Sequence, residues 1–404
     1  MKKQTKIPPG YKASPLGPIP NDWMVKELDD VVDFLDGKRK PIKDADRAKI
    51  QGIYPYYGAS GVIDFVNDYI FDEELILLGE DGANIINRSS PLAFKVSGKI
   101  WVNNHAHVLK PKTGTDITYL TEFLESLKYD KYNTGTAQPK LNKEICSSIP
   151  VLSPPHKEQL NISYISNSWD KAIQTTKALI EQKQKRKKWL MQMLLSGKKR
   201  LKGFEKEKWK EVKLKEVFNE IKDVNDGVDG HNVMTISSKL GLISQEDKFD
   251  RVIAGDSLKK YTQLKKNDFA YNKGNSKTYK MGCIYQLEES ESALVPFVYI
   301  CFSPTKKVNP TFYKHWFFAH GLDMQLNRII TSGARGDGLL NVNTEDFFNL
   351  KVPYPELQEQ KSIAEIMEVS NREIKILQNK LDKLKEQKKG LMQILLTGKK
   401  RLKI

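Results

Sequence analysis

The chain has 404 residues, enough for two or three domains, and its 29% charged and 39% hydrophobic residues are an ordinary mixture for a folded protein. A formal net charge of +16 favours a polyanionic partner, although a basic solvated surface would give the same number. No apolar run approaches the roughly 18 residues that cross a bilayer. The N-terminus lacks the apolar core of a signal peptide, and the three cysteines show no CxxC spacing. We therefore expect a cytoplasmic protein without a metal site.

The first third of the chain opens with a Pro- and Gly-rich arm up to about residue 20, followed by a Trp-x4-Leu-x2-Val entry that starts at Trp23. Beyond it, roughly residues 33–148 contain short strand-like runs separated by turn-rich loops. The clearest runs are Leu75–Leu78 and Val108–Leu109, and the clearest loops are Tyr56–Gly61 and Gly79–Asn84. We expect a globular domain here.

A long amphipathic helix is predicted from about His156 to Lys202. Its apolar residues recur at the 3-4 spacing of a coiled-coil seam, which Lys183 and Lys187 interrupt. The basic run Lys183–Lys188 is too dense for ordinary solvation of one helix face, so it predicts a contact with either a protein or a nucleic acid. The seam positions are Ile162, Ile165, Trp169, Ile173, Thr176, Ile180, Leu190 and Leu194.

The entry and the long helix both occur a second time. The entry recurs at Trp209, 186 residues later, and the helix recurs from about Leu357 to the C-terminus, 201 residues later and with Lys388 interrupting its seam. Both helices begin with a Glu-Gln pair and end in Leu-Leu-Ser/Thr-Gly-Lys-Lys-Arg-Leu-Lys. That ending is typical of a helix C-terminus whose dipole is complemented by cations, and it is also compatible with a phosphate clamp. The second seam runs through Ile363, Ile366, Ser370, Ile374, Leu377, Leu381, Leu391 and Leu395.

The second interior, roughly residues 218–350, differs from the first. Its strand candidates are Val233–Ile236 and Leu294–Ile300, and its loops include Tyr271–Lys277 and Ser332–Gly338. We find little similarity between the interiors until their ends, where Asn142 and Asn343 lie in the same register. Similar frames around different interiors suggest one scaffold that presents two different recognition surfaces.

These repeats predict an α+β fold in which two globular α/β domains are joined by two long helices. Each helix would be about 60 Å long and cannot bury its seam alone, so we expect the two to pair as an antiparallel coiled coil. Antiparallel pairing would relate the halves by a pseudo-two-fold axis and place the domains at opposite ends of a rod. The expected segments are 1–153 (the arm and the first domain), 154–202 (the first helix), 203–354 (the second domain) and 355–404 (the second helix).

The sequence carries no convincing catalytic pattern. It has no Gly-x4-Gly-Lys-Ser/Thr loop for nucleotide phosphates and no HExxH zinc helix. Asn309-Pro310-Thr311-Phe312 is only faintly similar to the Asn-Pro-Pro-Phe/Tyr loop of adenine methyltransferases, and we interpret it as a turn. His105 and His107 alternate as on a strand, and without a carboxylate or Cys framework we interpret them as structural.

The pattern as a whole resembles the specificity subunit of type I restriction-modification enzymes. The resemblance covers nearly the whole chain and rests on the two Trp-x4-Leu-x2-Val entries, on Pro-x3-Glu-Gln at each helix start, and on the Gly-Lys-Lys-Arg endings. It implies that the chain binds DNA and catalyses nothing. It further implies modification subunits, of which we expect two, that methylate adenine with S-adenosylmethionine, and restriction subunits that use ATP and Mg²⁺. No cofactor is expected in this chain.

Each domain would then read one half of a split, asymmetric DNA target from the major groove, with the helices setting the gap and docking the modification subunits. Base readout needs side chains such as Arg, Lys, Asn and Gln, and hydroxyl side chains can contact phosphates. The loop candidates of the first domain are Lys38, Arg39, Lys40, Tyr57, Ser60, Asn84, Arg88, Thr134, Thr136, Gln138 and Lys140. Those of the second are Tyr271, Asn272, Lys273, Asn275, Lys277, Arg328, Ser332 and Arg335.

Two other functions stay open. One is a DNA- or RNA-binding scaffold outside restriction, and the other is a coiled-coil adaptor with acidic protein partners. The adaptor does not explain two different domains on similar frames. Neighbouring genes for a methyltransferase and a helicase-nuclease would favour the restriction function over both.

Overall fold

A computed structural model describes residues 7–135, 138–225, 232–237, 240–249, 255–274, 279–330 and 340–402. The fold belongs to the α+β class, as predicted. The chain forms two compact units, of which the first comprises Met1–Lys177 with Asn379–Ile404 and the second comprises Ala178–Gln378. Within the described ranges, no helix is both long and apolar enough to cross a membrane.

Short strands and helices make up most of the first unit, and its last helix continues into the second unit. The strands are β1 (Tyr11–Lys12), β2 (Ile19–Pro20), β3 (Met24–Glu27), β4 (Val32–Phe34), β5 (Gln51–Gly58), β6 (Gly61–Val66), β7 (Phe71–Asp72), β8 (Leu75–Gly79), β9 (Ala93–Val96), β10 (Lys99–Val102), β11 (Ala106–Pro111) and β12 (Pro150–Ser153). The helices are α1 (Leu28–Val31), α2 (Asp44–Arg47), α3 (Asn84–Asn87), α4 (Ile117–Ser126), α5 (Lys143–Ser147) and α6 (His156–Leu194), with 3-10 turns at Asp36–Lys38 and Asp130–Tyr132.

The second unit repeats this style of construction, and its last helix returns to the first unit. The strands are β13 (Lys210–Lys213), β14 (Phe218–Glu220), β15 (Met234–Ser237), β16 (Gly241–Ser244), β17 (Thr262–Lys265), β18 (Phe269–Asn272), β19 (Cys283–Gln286), β20 (Ser292–Val295), β21 (Ile300–Pro304) and β22 (Lys351–Tyr354). The helices are α7 (Leu214–Val217), α8 (Gln245–Phe249), α9 (Pro310–Phe318), α10 (Asp323–Ile329), α11 (Thr344–Phe348) and α12 (Leu357–Leu395), with a 3-10 helix at Gly255–Lys260.

Both units contain a four-stranded antiparallel sheet of the same connectivity, ordered β4-β11-β8-β9 in the first and β14-β21-β18-β19 in the second. The sequence comparison of the two interiors missed this similarity. The reason lies in the packing, because aliphatic residues such as Ile76 and Leu78 fill the first core, whereas Phe269 and Phe302 stack in the second. Burial requires apolar volume at these positions and does not require a particular side chain.

The strands outside this sheet differ between the units. The first unit adds a second four-stranded sheet, ordered β6-β5-β10-β7, in which β10 runs parallel to β5. In the described part of the second unit, the pairs β15-β16 and β17-β20 form separate two-stranded sheets. The expectation of different interiors therefore holds for the surroundings of the shared sheet.

Two local predictions in the second interior were wrong. The run Leu294–Ile300 is divided between β20 and β21, because Pro296 lacks an amide donor and its carbonyl accepts from Tyr299 in a turn. Asn309-Pro310-Thr311-Phe312 begins α9, where the Asn309 side chain accepts from the Phe312 amide at 2.9 Å and Pro310 takes the first helical position.

The long helices α6 and α12 each contain 39 residues, close to the predicted length. All sixteen predicted seam positions are buried or half-buried. In the first unit, Arg401 after α12 binds Glu158 of α6, and the earlier Lys388 contacts the later Asp170 at 2.7 Å, so the two helices run antiparallel. In the second unit, Arg200 after α6 binds Glu359 of α12, and the earlier Lys183 contacts the later Glu373 at 2.5 Å, which gives the same direction. Two of the lysines that interrupt the seam are thus half-buried and paired with carboxylates.

Candidate nucleic-acid interface

The repeated entry and the repeated helix ends meet in one cluster of the first unit. The indole nitrogen of Trp23 donates to Glu158 Oε2 at 2.9 Å, and Arg401 donates to both Glu158 oxygens at 2.7 and 2.8 Å. Arg401 also bonds both oxygens of Asp22, and its guanidinium lies 5.9 Å from the centre of the Trp23 ring. Glu158 is only 1% exposed. The hydrogen bonds to Glu158 and Asp22 raise the pKa of Arg401 further above its ordinary value.

The second unit builds the same cluster from the other copies of these residues. Trp209 donates to Glu359 Oε2 at 2.8 Å, and Arg200 donates to both Glu359 oxygens at 2.8 Å. The Arg200 guanidinium lies 5.5 Å from the centre of the Trp209 ring. We call these two Trp-Glu-Arg sets the clamps. In each clamp the Arg follows one long helix and the Glu begins the other, so the clamp joins both helices to the domain entry.

The Gly of each Gly-Lys-Lys-Arg ending allows the chain to turn into the clamp. Gly197 and Gly398 have φ values of +68° and +66°, the left-handed region in which a Cβ is strained. A Cβ on Gly398 would lie 2.6 Å from Pro20, and one on Gly197 would lie 3.0 Å from Trp209. The predicted helix C-terminus is therefore present, and the Arg of each ending binds a carboxylate of its own chain.

The Gln that follows the Glu of each clamp bonds the N-cap residue of a second, shorter helix. Gln159 accepts from the amide of Asp116, the N-cap of α4, and Gln360 accepts from the amide of Asn309, the N-cap of α9, both at 2.8 Å. Each Gln also donates to the carbonyl of a Pro just before its own long helix, Pro154 for Gln159 and Pro355 for Gln360. The repeated Glu-Gln pair thus positions each domain on its long helices.

Five segments of the first domain converge at one edge of its sheets. They are 36–40, 57–60, 80–84, 103–105 and 133–140 (without 136–137), and we call them the loop cluster. Leu141 donates to the Glu80 carbonyl at 2.7 Å, and Glu80 donates to the His105 carbonyl at 2.9 Å. Asn103 donates to the Tyr57 carbonyl at 3.0 Å, and Lys40 to the Val102 carbonyl at 3.4 Å. These backbone bonds bring together candidates that lie up to about 100 residues apart in the sequence. Exposed on the loop cluster are Lys38, Lys40, Ser60, Thr134, Gln138 and Lys140.

Four other candidates of the first domain are buried or half-buried, and three of them bind partners inside the protein. Asn84 is 9% exposed and accepts from the Ser90 amide, while Arg88 binds the carbonyl and carboxylate of Glu125. Tyr57 is half-buried, and burial raises the pKa of its phenol. Arg39 donates to Glu80 at 2.7 Å, to the Ala106 carbonyl at 2.8 Å and to the Asp36 carbonyl at 3.1 Å. Asn84, Arg88 and Arg39 are therefore occupied by bonds within the protein, whereas Tyr57 stays a candidate.

Beneath the loop cluster lies a compact group of four charged side chains, Asp36, Arg39, Glu80 and His107, which we call the charged core. His107 is 1% exposed, and its Nδ1 lies 2.7 Å from Asp36 Oδ2 and 3.8 Å from Glu80 Oε2. Burial alone would lower the pKa of His107, but the hydrogen bonds to Asp36 and Cys146 together outweigh it and raise that pKa to about 10. Burial also opposes ionisation of Asp36, yet His107 holds the pKa of that carboxyl below its ordinary value.

The His107–Asp36 pair makes stability depend on pH. Because the folded pKa of His107 exceeds the ordinary 6.5, its contribution is full below pH 6.5 and is lost as pH rises toward 10. The contribution of Asp36, whose folded pKa is lowered, is present above pH 3.8 and is lost in stronger acid. We expect the free energy of unfolding, measured with denaturant from pH 6 to 10, to fall less steeply in His107→Gln than in the wild type. The half-exposed His105 gives the control His105→Gln, and a slope unchanged in His107→Gln would contradict the assignment.

The candidates of the second domain are only partly described. Tyr271 is fully buried, stacks on Phe347 with ring centres 5.0 Å apart, and donates to the Met281 carbonyl at 2.8 Å. Burial raises its pKa, and we assign it to the core instead of the interface. Asn272 accepts from the Gly274 amide, and the Lys273 carbonyl accepts from Leu340 at 2.9 Å. This last bond joins the loop after β18 to the segment before α11, much as Glu80 and Leu141 join the corresponding segments of the first domain.

The remaining candidates stay predictions. Arg328 is exposed on α10. Thr136, Asn275, Lys277, Ser332 and Arg335 lie outside the described residues.

The sequence did not identify the clamps or the charged core as sets of interacting residues. A signal for the clamps was present, since Trp, Glu and Arg each recur in both halves, but their pairing across up to 243 residues was not visible. For the charged core the signal was weaker. His107 was interpreted as structural, and nothing in the sequence linked it to Asp36, 71 residues earlier.

Comparison with known proteins gives a consistent result. The family model described as "Type I restriction modification DNA specificity domain" matches residues 20–183 and 206–386. The type I restriction enzyme MjaVIII specificity subunit of Methanocaldococcus jannaschii is 27% identical over 418 residues, covering 95% of this chain and 94% of that protein. The type I restriction enzyme EcoDI specificity subunit of Escherichia coli is 27% identical over 172 residues, and this match spans 41% of the chain and about a third (35%) of that relative.

Among solved structures, the type I restriction-modification system S subunit from M. genitalium aligns with a TM-score of 0.57. The alignment covers 92% of this chain and 96% of that one at 14% identity, which is a likeness of fold alone.

Proposed function

Since this chain belongs to the type I restriction modification DNA specificity family, we propose that it is the DNA-recognition subunit of a restriction-modification complex whose two domains each read one half of a split, asymmetric target. The observation that carries the proposal is the pair of clamps on unlike domains. Trp23, Glu158 and Arg401 repeat as Trp209, Glu359 and Arg200 with nearly the same distances. The loops that surround the shared sheet differ, so the two domains should select different bases.

The loop cluster supports major-groove contact by its chemistry. Lys38, Lys40 and Lys140 provide exposed cations, and Gln138 provides an amide that can bond adenine. Phosphate contacts from such lysines position a protein on DNA, while planar amides and guanidinium groups discriminate between bases. We assign the lysines mainly to phosphates and Gln138 to a base.

The chain itself is proposed to be non-catalytic. Modification subunits, two in number, would bring S-adenosylmethionine, and restriction subunits would bring ATP and Mg²⁺. The long helices would dock the modification subunits and set the gap between the half-sites. This assignment draws on the family and on the lack of a nucleotide-phosphate loop in the sequence.

Binding to duplex DNA should depend steeply on salt. Each neutralised phosphate contributes about −0.9 to the slope of log affinity against log salt. We expect Lys38→Gln/Lys40→Gln to reduce that slope by roughly 2 if each lysine contacts one phosphate. Fluorescence anisotropy with a labelled duplex over a salt series measures it, with Lys157→Gln, exposed at the start of α6, as the control. Affinity that is independent of salt would favour the adaptor with acidic protein partners.

The direct test is co-expression with a methyltransferase from a neighbouring gene, followed by mapping of methylated adenines across the host genome. We expect a single motif of two unlike half-sites separated by a fixed gap. Methylation that is absent without this chain and specific with it would support the proposal. Methylation without a motif, or none at all, would overturn it in favour of a nucleic-acid-binding scaffold outside restriction.

A further inference from the structure

Each of the four charged side chains of the charged core takes part in hydrogen bonds within the protein. Nδ1 of His107 lies 2.7 Å from a carboxylate oxygen of Asp36, and Nε2 lies 2.8 Å from the Leu141 carbonyl. A carboxylate and a carbonyl can only accept, so both ring nitrogens must carry a proton. The geometry therefore requires an imidazolium.

The charged core is also balanced. His107 and Arg39 supply two positive charges, and Asp36 and Glu80 supply two negative ones, all with side chains no more than 14% exposed. A buried group of this kind is costly when one member is removed, because the remaining charges lose their partners. Its atoms are consequently held in one arrangement.

The four members come from three parts of the loop cluster and its base. Asp36 and Arg39 hold the segment that carries Lys38 and Lys40, and Arg39 also bonds the Ala106 carbonyl. Glu80 begins the loop after β8 and contacts Lys140 at 3.4 Å. His107 reaches the Leu141 carbonyl, at the end of the segment that carries Thr134 and Gln138.

We propose that the charged core determines specificity by positioning the recognition loops of the first domain, and that Arg39 acts through Glu80 and Asp36 instead of reading a base. This inference rests on the proposed function. Loops held by these bonds present their side chains at fixed separations, which base discrimination requires. If one of these bonds is lost, the exposed side chains of the loop cluster would meet the DNA groove at variable separations, and wrong bases would be accepted.

The test uses the assembled methyltransferase with duplexes that carry the target mapped for the wild type, and single-base changes in each half. His107→Gln leaves one acceptor unpaired and the charged core with a net negative charge. We expect discrimination against wrong bases in the first half to fall about 10-fold, which corresponds to about 1.4 kcal/mol. Discrimination in the second half should be unchanged. His156→Gln, which alters an exposed side chain bonded to the Gly114 carbonyl, is the control.

Three further variants separate positioning from a purely structural role and from base reading. Asp36→Asn/His107→Gln restores the charge balance and should recover part of the lost discrimination. Glu80→Gln should resemble Arg39→Lys, with relaxation at several base pairs of the first half. If Arg39 reads a base, Arg39→Lys would relax one base pair only and Glu80→Gln would not resemble it.

The outcomes also distinguish this inference from the proposed function. A wild-type complex without sequence-specific methylation defeats the proposed function. A specific wild type, with full discrimination in folded His107→Gln, defeats the inference alone. Lower activity with discrimination unchanged in both halves would identify the charged core as structural only.

Discussion

Replacing Glu158 with Ala should destabilise the first unit by about 3 kcal/mol and leave the second unit unchanged. Glu158 is buried and accepts from Trp23 and twice from Arg401, so its loss leaves the indole N–H without an acceptor. Breaking a buried ion pair costs about 3–5 kcal/mol. The lower end applies because Arg401 is 34% exposed and retains Asp22.

Hydrogen–deuterium exchange resolves the two units and measures this effect. Strands β3 and β12 should exchange faster in Glu158→Ala, whereas Glu359→Ala should accelerate exchange in β13 and β22, the corresponding pair of the second unit. Glu158→Gln keeps one acceptor for Trp23 and should lie between the wild type and Glu158→Ala. Exposed Glu181 of α6 provides the control Glu181→Ala, expected within about 0.5 kcal/mol of the wild type. Equal acceleration in both units would show that the clamps do not act independently.

Exchange of residues 33–148 for those of a homologue should replace one half-site and leave the other intact. The exchanged region contains the loop cluster and the charged core, while Trp23, Glu158 and Arg401 lie outside it. Methylation at the original sites should fall to background and appear at sites that combine the donor's first half with the unchanged second half. Mapping methylated adenines in cells that carry the modification partner measures both.

One contact constrains the choice of donor. Lys388 of α12 binds both Glu122, within the exchanged region, and Asp170 of α6. Burial lowers the pKa of Lys388, but these two carboxylates raise it overall, so the lysine stays charged. The donor should therefore carry an acidic residue at this position. Exchange of residues 218–350 is the reciprocal control, and a change of both half-sites by either exchange would refute the modular arrangement.

The repeated frame could be predicted because it leaves a regular signal. A seam of 3-4 spacing and constant offsets of 186 and 201 residues identify the helices, and the antiparallel ion pairs within each unit confirm the expected direction. The shared sheet could not be predicted, because aliphatic residues fill its core in one unit and aromatic residues fill it in the other, so the two sequences do not look alike. Pairing between distant charges, such as Arg401 with Glu158, leaves no local pattern at all.

The candidate residues illustrate a second limit. Loop-like composition identified segments of the loop cluster, but exposure depends on which way each side chain points. Tyr271 precedes Asn-Lys-Gly, which suggested a loop, yet it lies on β18 and faces Phe347. Arg39 lies between two exposed lysines and is the one of the three that turns inward to Glu80.

The division of the first unit between both ends of the chain has a consequence for protein synthesis. Met392, Leu395 and Leu396 belong to the same core as Trp23 and Leu28, although more than 360 residues separate them. Because translation runs from the N-terminus, the whole of Ala178–Gln378 is made before the segment that completes the first core. A ribosome adds only roughly 5–20 residues per second, so the first core waits for its last segment. The domain made first is therefore the one that finishes folding last. A nascent chain arrested within the second unit leaves the apolar surface of the first unit uncovered.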